Sequence, residues 1–233
     1  MYEQNRKSIN AFVGCNHDCV YCIPSFQRQM KRRKKACIKC YDYEPHVHPE
    51  RLLKAPPKTV GDEFIFFPSS GDLSFASPLG VQAHIDYANK YSDRRFLIQT
   101  KDPEFLDNYK FPENVILGIT LETDRRVYFT PSLFKTYERI SKAPIPMFRN
   151  ADFRQIKHPH KYVTIEPILQ FRHSLVHWIY RINPEVVYVG YDNHDCRLPE
   201  PRLQDTERLI SELEKFTTVR RKTIRKAWYE GVY

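Results

Sequence analysis

The sequence predicts an α/β fold built on a parallel sheet, on three observations. Short, nearly continuous apolar runs recur along the 233 residues. Helix-period patterns fill most of the gaps between them. The alternation repeats about six times, in the order that right-handed strand–helix–strand crossovers require. The runs are Ile9–Val13, Phe64–Phe67, Phe96–Ile98, Val115–Thr120, Tyr162–Ile165 and Val186–Val189. Rich in Val, Ile and Phe, they suit strands buried on both faces.

After the second run, Val81, His84, Ile85 and Ala88 recur at i, i+3, i+4 and i+7, which predicts a helix. Asp102-Pro103-Glu104 opens a shorter helix after the third. Thr130-Pro131 reads as an N-cap and first helical position, predicting a helix that carries Leu133, Tyr137 and Ile140 after the fourth. Leu175, Ile179 and Ile182 follow the fifth run, and Leu209, Leu213 and Phe216 the sixth. Periodicity alone leaves open a closed eight-stranded barrel, a doubly wound open sheet and a partial barrel. The chain is short for eight units, which take about 250 residues, and no GxGxxG follows the first run. Residues 26–48 break the rhythm and read as an insertion-like excursion before a helix starting near Pro49; the rest reads as one domain over 1–233.

A hydrophobic share of 41% and a charged share of 28% are those of a folded soluble protein. Tyr 15 and Phe 15 supply too much aromatic surface for a disordered chain. No apolar run approaches the roughly 18 residues of a membrane span. The start, MYEQNRKSINAF, has no apolar stretch of signal-peptide type, which predicts a cytoplasmic protein without membrane partners. Lys+Arg 37 against Asp+Glu 28 gives a net charge of +9, favouring nucleic acid, anionic cofactors or phosphates as partners.

Six cysteines in such a chain are metal or redox residues before they are disulfides. Cys15, Cys19 and Cys22 sit in one tight loop directly after the first predicted strand. Three thiolates suit structural zinc poorly, since it prefers four closed ligands. Thiolates are the ordinary holders of iron–sulfur clusters, and three of them on four irons leave one iron open to chemistry. A zinc loop completed by His17, or by Cys37 and Cys40, is the alternative.

The segment CNHDCVYC resembles the CxxxCxxC motif of the radical S-adenosylmethionine (SAM) superfamily, including the aromatic Tyr21 before the third cysteine. The resemblance implies a partial TIM-like (β/α)6 barrel with parallel strands. It implies a 4Fe–4S cluster on Cys15, Cys19 and Cys22, with SAM as second cofactor and a one-electron donor such as flavodoxin or ferredoxin. Ser70-Gly71-Asp72 resembles the superfamily's Gly-Gly-Glu segment, which holds the SAM amino group, but has one glycine and a shorter acid. Thr120 and Glu122 fall at matching SAM-contact positions, the resemblance makes Tyr21 and Thr100 further cofactor contacts, and Lys101, Glu166, Tyr191 and Asp192 would line the same rim. More narrowly, GDLSF, QTKDP, LGITLET, TIEPIL and VYVGYDN resemble the branch containing spore photoproduct lyase and a phage-associated family, which does not fix a substrate.

Cys37-x-x-Cys40 followed by His46 and His48 reads four ways: a zinc site, ligands of an auxiliary cluster, a redox-active dithiol, or a pair of partly buried thiols. A basic run covers Arg28, Lys31, Arg32, Arg33, Lys34 and Lys35. A second covers Arg220, Arg221, Lys222, Arg225 and Lys226, beside Trp228 and Tyr229. Basic groups among aromatics suit phosphates and stacked bases, although charge runs are also plain solvated surface. Cys196, beside His194 and Asp195, is a thiol participant or an ordinary cysteine. Two functions follow. One is a radical SAM enzyme that abstracts hydrogen from a substrate, for which the charge favours nucleic acid. The other is a non-catalytic, zinc-stabilised nucleic-acid-binding protein drawing ligands from Cys15, Cys19, Cys22, Cys37, Cys40 and His46.

Overall fold

Runs of β-branched and aromatic residues with no polar interruption have to be buried on both faces, and here they are. In the computed structural model, which describes residues 2–130 and 133–231, every residue of β6 (Val115–Thr120) and β9 (Lys161–Ile165) is buried. In chain order the elements are β1 (Asn5–Ser8), β2 (Phe12–Val13), α1 (Arg28–Met30), α2 (Ile38–Asp42), β3 (His46–Val47), β4 (Phe64–Phe66), α3 (Pro78–Lys90) and β5 (Phe96–Thr100). There follow β6, β7 (Val127–Thr130), β8 (Leu133–Thr136), α4 (Pro146–Gln155), β9, α5 (Ser174–Ile182), β10 (Val186–Val189), α6 (Leu203–Leu213) and β11 (Thr218–Arg221).

Seven strands form one parallel sheet in the order β1-β4-β5-β6-β9-β10-β11, curled into a partial TIM-like barrel with helices outside. Alternation along β6 divides the two faces: Val115, Leu117 and Ile119 join the large core under the helices, while Ile116 joins an inner cluster with Tyr2, Phe64, Leu97, Tyr162 and Tyr188. The barrel is open between β1 and β11, and side chains bridge the seam. Tyr2 packs its ring 4.4 Å from that of Tyr188 and 5.4 Å from that of Phe66. Arg220 reaches Asp62 across the seam at 2.8 Å.

The helix expected after β4 is α3, with Val81, His84, Ile85 and Ala88 on its buried face, and Ser77 caps it by accepting from the Gly80 N–H. Leu175, Ile179 and Ile182 are the buried face of α5, and Leu209 and Leu213 are buried on α6. Phe216 lies beyond the end of α6 and packs on the core.

Elsewhere the structure corrects the sequence reading. The first sheet strand is β1, upstream of the apolar run Ile9–Val13. Only Phe12 and Val13 of that run are in a strand, and they pair antiparallel with Val47 and His46. The helices expected near Pro49 and after Asp102 are 3-10 turns, Pro49–Leu52 and Pro103–Asn108. The helix expected over Leu133 to Ile140 is instead the second strand of a hairpin, β7–β8, followed by a 3-10 turn at Tyr137–Arg139. Thr130 lies in β7, and Pro131 falls outside the described residues. Val-Tyr-Phe-Thr is a β-forming tetrapeptide, and that local preference outweighs the N-cap signal. The crossover helix is α4, which periodicity missed because its buried face carries Arg149 and Asn150 beside Pro146 and Phe153. The seventh strand, β11, reads Thr-Val-Arg-Arg; half-exposed and basic, it has no apolar signature.

Candidate functional site

All seven strands point the same way, so the residues that follow them open on one rim. Facing inward there are Gln99 of β5 and Lys101 just after it, Thr120 of β6 and Glu122 beyond it, Thr164 of β9 and Glu166 just after it, and Lys222 after β11. Gln99 donates to Thr120 Oγ1 at 2.8 Å, and the Tyr2 hydroxyl lies 2.8 Å from Thr164 Oγ1. Lys222 pairs with Glu166. Gly190, just after β10, makes room for that pair: a Cβ there would lie 3.0 Å from Lys222 and 3.3 Å from Glu166 Oε1.

The cysteine loop leaves β2 at this rim, and three sets of contacts hold it. The first is backbone. Gly14 N–H donates to Ser70 C=O at 3.0 Å and Gly14 C=O accepts from Asp72 N–H at 3.2 Å, so the segments before Cys15 and after β4 lie side by side. Gly14 has φ +101, and a Cβ there would sit 2.3 Å from the Glu44 carbonyl, so only glycine fits. The second is the Asp72 carboxylate, which accepts from His17 (3.1 Å), Thr100 (2.7 Å), Lys101 N–H (2.8 Å) and Ser74 N–H (3.1 Å). The third runs along the turn after β8: Val20 N–H donates to Ile140 C=O at 2.9 Å, Lys142 N–H to His17 C=O at 2.7 Å, and Ser141 Oγ lies 3.1 Å from Cys19 Sγ.

Above β6 stands a buried charge cluster. Glu122 has no exposed surface. It accepts from the Tyr21 hydroxyl at 2.5 Å, from Arg149 of α4 at 2.8 Å, from Tyr137 at 3.3 Å, and it pairs with Lys101. Burial pushes the Glu122 carboxyl up, but the Arg149 and Lys101 charges outweigh it and hold the group well below the usual carboxylate range. Tyr21, the residue before Cys22, is thereby tied to the sheet.

Among the thiols, the Cys22 thiol hydrogen-bonds to Cys19 and lowers Cys19 to about 6, while burial drives Cys15 far up. Cys19 is buried; Cys15 and Cys22 are half-buried. Cys15 lies with His17 and Asp72, their ligand atoms all within 4.8 Å of one another. His17 is engaged by Asp72 and meets Phe75 edge-on, with ring centroids 4.7 Å apart. One loop thus carries three sulfurs: Cys19 and Cys22 pack with the apolar cluster of Tyr128, Tyr137, Ile140, Leu169 and Leu198, and Cys15 lies beside His17 and Asp72. That donor set fits an iron–sulfur cluster better than a zinc ion that needs four ligands.

The other sequence-predicted residues separate into groups. Lys101, Thr120, Glu122 and Glu166 are on the inner rim. Ser70, Gly71 and Thr100 shape the loop contact around Asp72, whose two oxygens are both engaged by the chain itself. Tyr191 is corrected: it faces the outer helices, its hydroxyl 2.7 Å from Thr206 Oγ1, and does not line the rim. Asp192 accepts from Cys196 N–H at 2.7 Å, and burial with the Asp192 charge pushes the Cys196 thiol up to about 12. Cys37, Cys40, His46 and His48 come together as a set of their own, every ligand atom within 4.8 Å of the others. Sequence reasoning missed Arg149, Tyr137 and Ser141, which have no motif, and Tyr43, a buried residue in electrostatic reach of Cys22, Cys15 and Asp72.

The two basic runs differ. The C-terminal one is largely paired: Arg220 with Asp62, Arg221 with Glu207 and Glu214, Lys222 with Glu166, and Arg225 with Glu200 at 2.7 Å, which leaves Lys226. Arg28, Lys31, Arg32, Arg33, Lys34 and Lys35 are exposed, and among the described residues none of them is in an ion pair. Arg28, Arg32 and Arg33 line a cavity of about 550 Å³ with Pro24, Ser25 and His194.

The fold has a known counterpart. A solved structure of spore photoproduct lyase, a cysteine-to-alanine mutant with a dinucleoside spore photoproduct, matches with a TM-score of 0.55 at 13% identity over 90% of this chain. The chain spans 61% of that protein's length. No protein-family model matches the sequence, and no curated protein matches it. No helix among the described residues is long and apolar enough to cross a membrane.

Glu122 sets a test of this geometry. Glu122→Gln strips the partner charge from Arg149 and Lys101 and should cost about 3–5 kcal/mol at pH 7 in urea unfolding. Because the folded carboxyl lies below its unfolded value near 4.3, its stabilisation is complete above that pH and fades as pH falls towards the folded value. The gap between wild type and variant should therefore be flat from about pH 8 to 5 and narrow below about pH 4. A gap independent of pH down to the acid limit would contradict the buried pairing.

Proposed function

We propose that the chain is a radical SAM enzyme acting on nucleic acid. The observation that carries the first part is the cysteine trio, held as one loop across the carboxyl rim of a partial barrel like that of spore photoproduct lyase. When bound, a 4Fe–4S cluster would supply the electron that splits SAM into methionine and a 5′-deoxyadenosyl radical, which takes hydrogen from the substrate.

The chain's residues then have separable parts. Cys15, Cys19 and Cys22 would bind three irons and leave the fourth without a protein ligand. The Ser70 carbonyl already accepts from Gly14 N–H, and Gly71 beside it would offer its backbone carbonyl to an ammonium. Asp72, already saturated by four donors, positions His17 and the Lys101 backbone. Glu122 with Arg149, Lys101 and Tyr21 is a frame for the loop. Thr120, Gln99, Glu166 and Lys222 face the space where a nucleoside and its substrate would meet. The apolar cluster of Tyr128, Tyr137, Ile140 and Leu198 backs the thiols and keeps water from them.

Unpaired charge supports the choice of substrate. Arg28, Arg32 and Arg33 line a cavity beside the cysteine loop and have no acidic partner among the described residues, an arrangement suited to phosphates. The structural counterpart was solved with a dinucleoside, which agrees with this reading.

Two measurements test the proposal. Anaerobic reconstitution should give about four irons and four sulfides per chain, and Cys19→Ala should abolish the sulfide-containing cluster. Zinc with no sulfide on the wild type would favour the non-catalytic binding protein instead. Wild type should also bind a random oligonucleotide at low salt, and replacing Arg28, Arg32 and Arg33 by Ala should flatten the salt dependence by about 0.7 per lost phosphate contact. Absence of binding at low salt would exclude nucleic acid.

A further inference from the structure

The set formed by Cys37, Cys40, His46 and His48 lies outside the rim chemistry and has a geometry of its own. His46 Nε2 is 3.4 Å from Cys37 Sγ and 3.4 Å from Cys40 Sγ; His48 Nε2 is 3.1 Å from Cys40 Sγ and 2.9 Å from His46 Nε2. Tautomers follow from the outer contacts. His46 Nδ1 faces the Glu44 carbonyl at 2.7 Å, which can only accept, so Nδ1 carries the hydrogen. His48 Nδ1 faces the Glu50 carboxylate at 2.9 Å, and the same holds. Both Nε2 lone pairs therefore point at each other and at two sulfurs, with no donor between the rings. With no hydrogen between the two nitrogens their 2.9 Å contact is repulsive, and a cation shared with the two sulfurs relieves it. Each histidine already has the second partner that fixes a metal-binding imidazole.

The size of the set selects a single ion. Zinc–sulfur bonds of about 2.3 Å and zinc–nitrogen bonds of about 2.0–2.1 Å at tetrahedral angles give edges of about 3.6 Å for S–N and about 3.3 Å for N–N. The observed edges are close to these and slightly contracted. A two-iron cluster would spread its four ligands over two metals and needs wider spacing. Two sulfurs and two nitrogens in a tetrahedron are a zinc set.

We propose that Cys37, Cys40, His46 and His48 bind one zinc ion in a closed site that fastens the basic excursion to the strand carrying the cysteine loop. His46 and Val47 pair with Val13 and Phe12, His48 N–H donates to Ala11 C=O at 2.6 Å, and the Glu44 backbone packs on Gly14, next to Cys15. The exposed segment with Arg28 to Lys35 is thus held at one end by Cys22 and at the other by Cys37. With four protein ligands the ion has no open position, so its work is structural.

Zinc-edge X-ray absorption on the full-length protein, purified without oxygen and with its iron reconstituted, tests this without interference from iron. The expected result is about one zinc per chain with two sulfurs near 2.3 Å and two nitrogens near 2.0–2.1 Å. A shell of sulfur alone, or of oxygen and nitrogen alone, would overturn the proposal. Changing Cys37→Ser and Cys40→Ser together should lower zinc content at least about fivefold, whereas Cys19→Ala should leave it unchanged. Zinc lost with Cys19 and kept without Cys37 and Cys40 would place the ion in the other loop. This outcome is independent of whether SAM is cleaved.

Discussion

A carboxylate with no exposed surface must be compensated, and the way Glu122 is compensated organises the rim. Its partners come from every side: Lys101 from the end of β5, Arg149 from the crossover helix α4, Tyr137 from the turn after the hairpin, and Tyr21 from the cysteine loop. Isolated, each of these groups would be unstable in the interior. Together they make the loop, the hairpin and the sheet one unit, and they set Tyr21, and with it Cys22, at a fixed height above the strands. The resemblance to radical SAM proteins placed Tyr21 and Glu122 as cofactor contacts; the structure joins them to each other.

The same economy of positioning recurs around Asp72. Its four hydrogen bonds draw His17, Thr100, the Lys101 backbone and the first turn after β4 to one point. The aligned glycines, Gly14 and Gly71, let two backbones approach as closely as a sheet pair. On the proposed function the loop has to hold three thiols ready for a metal, and it cannot rely on that metal for its whole shape. Here it is supported by side chains on both flanks and, on the zinc proposal, by a second ion across β2 and β3.

How much of this was legible in the sequence varies with the kind of signal. Strands β4, β5, β6, β9 and β10 announced themselves, because burial on both faces leaves an unbroken apolar run. Helices α3, α5 and α6 were readable because each has one apolar stripe. Helix α4 was not, because the rim chemistry puts Arg149 and Asn150 on its buried face. The hairpin β7–β8 was mistaken for a helix since Leu133, Tyr137 and Ile140 match a helical period by spacing alone. The cysteine motifs stood out as local patterns, but Tyr43, Arg149 and Ser141 reach the site only through tertiary folding, and no spacing points to them. The basic runs looked alike as text; only the fold shows that one is paired with acids and the other is not.

On the proposed function, the trio of thiols prepares SAM for reductive cleavage. The most direct test is to incubate the anaerobically reconstituted protein with SAM and dithionite and to quantify 5′-deoxyadenosine and methionine by mass spectrometry. The account expects both products in equal amounts, formed only with reductant and absent from Cys19→Ala. Intact SAM in the presence of a full, reduced cluster would contradict it.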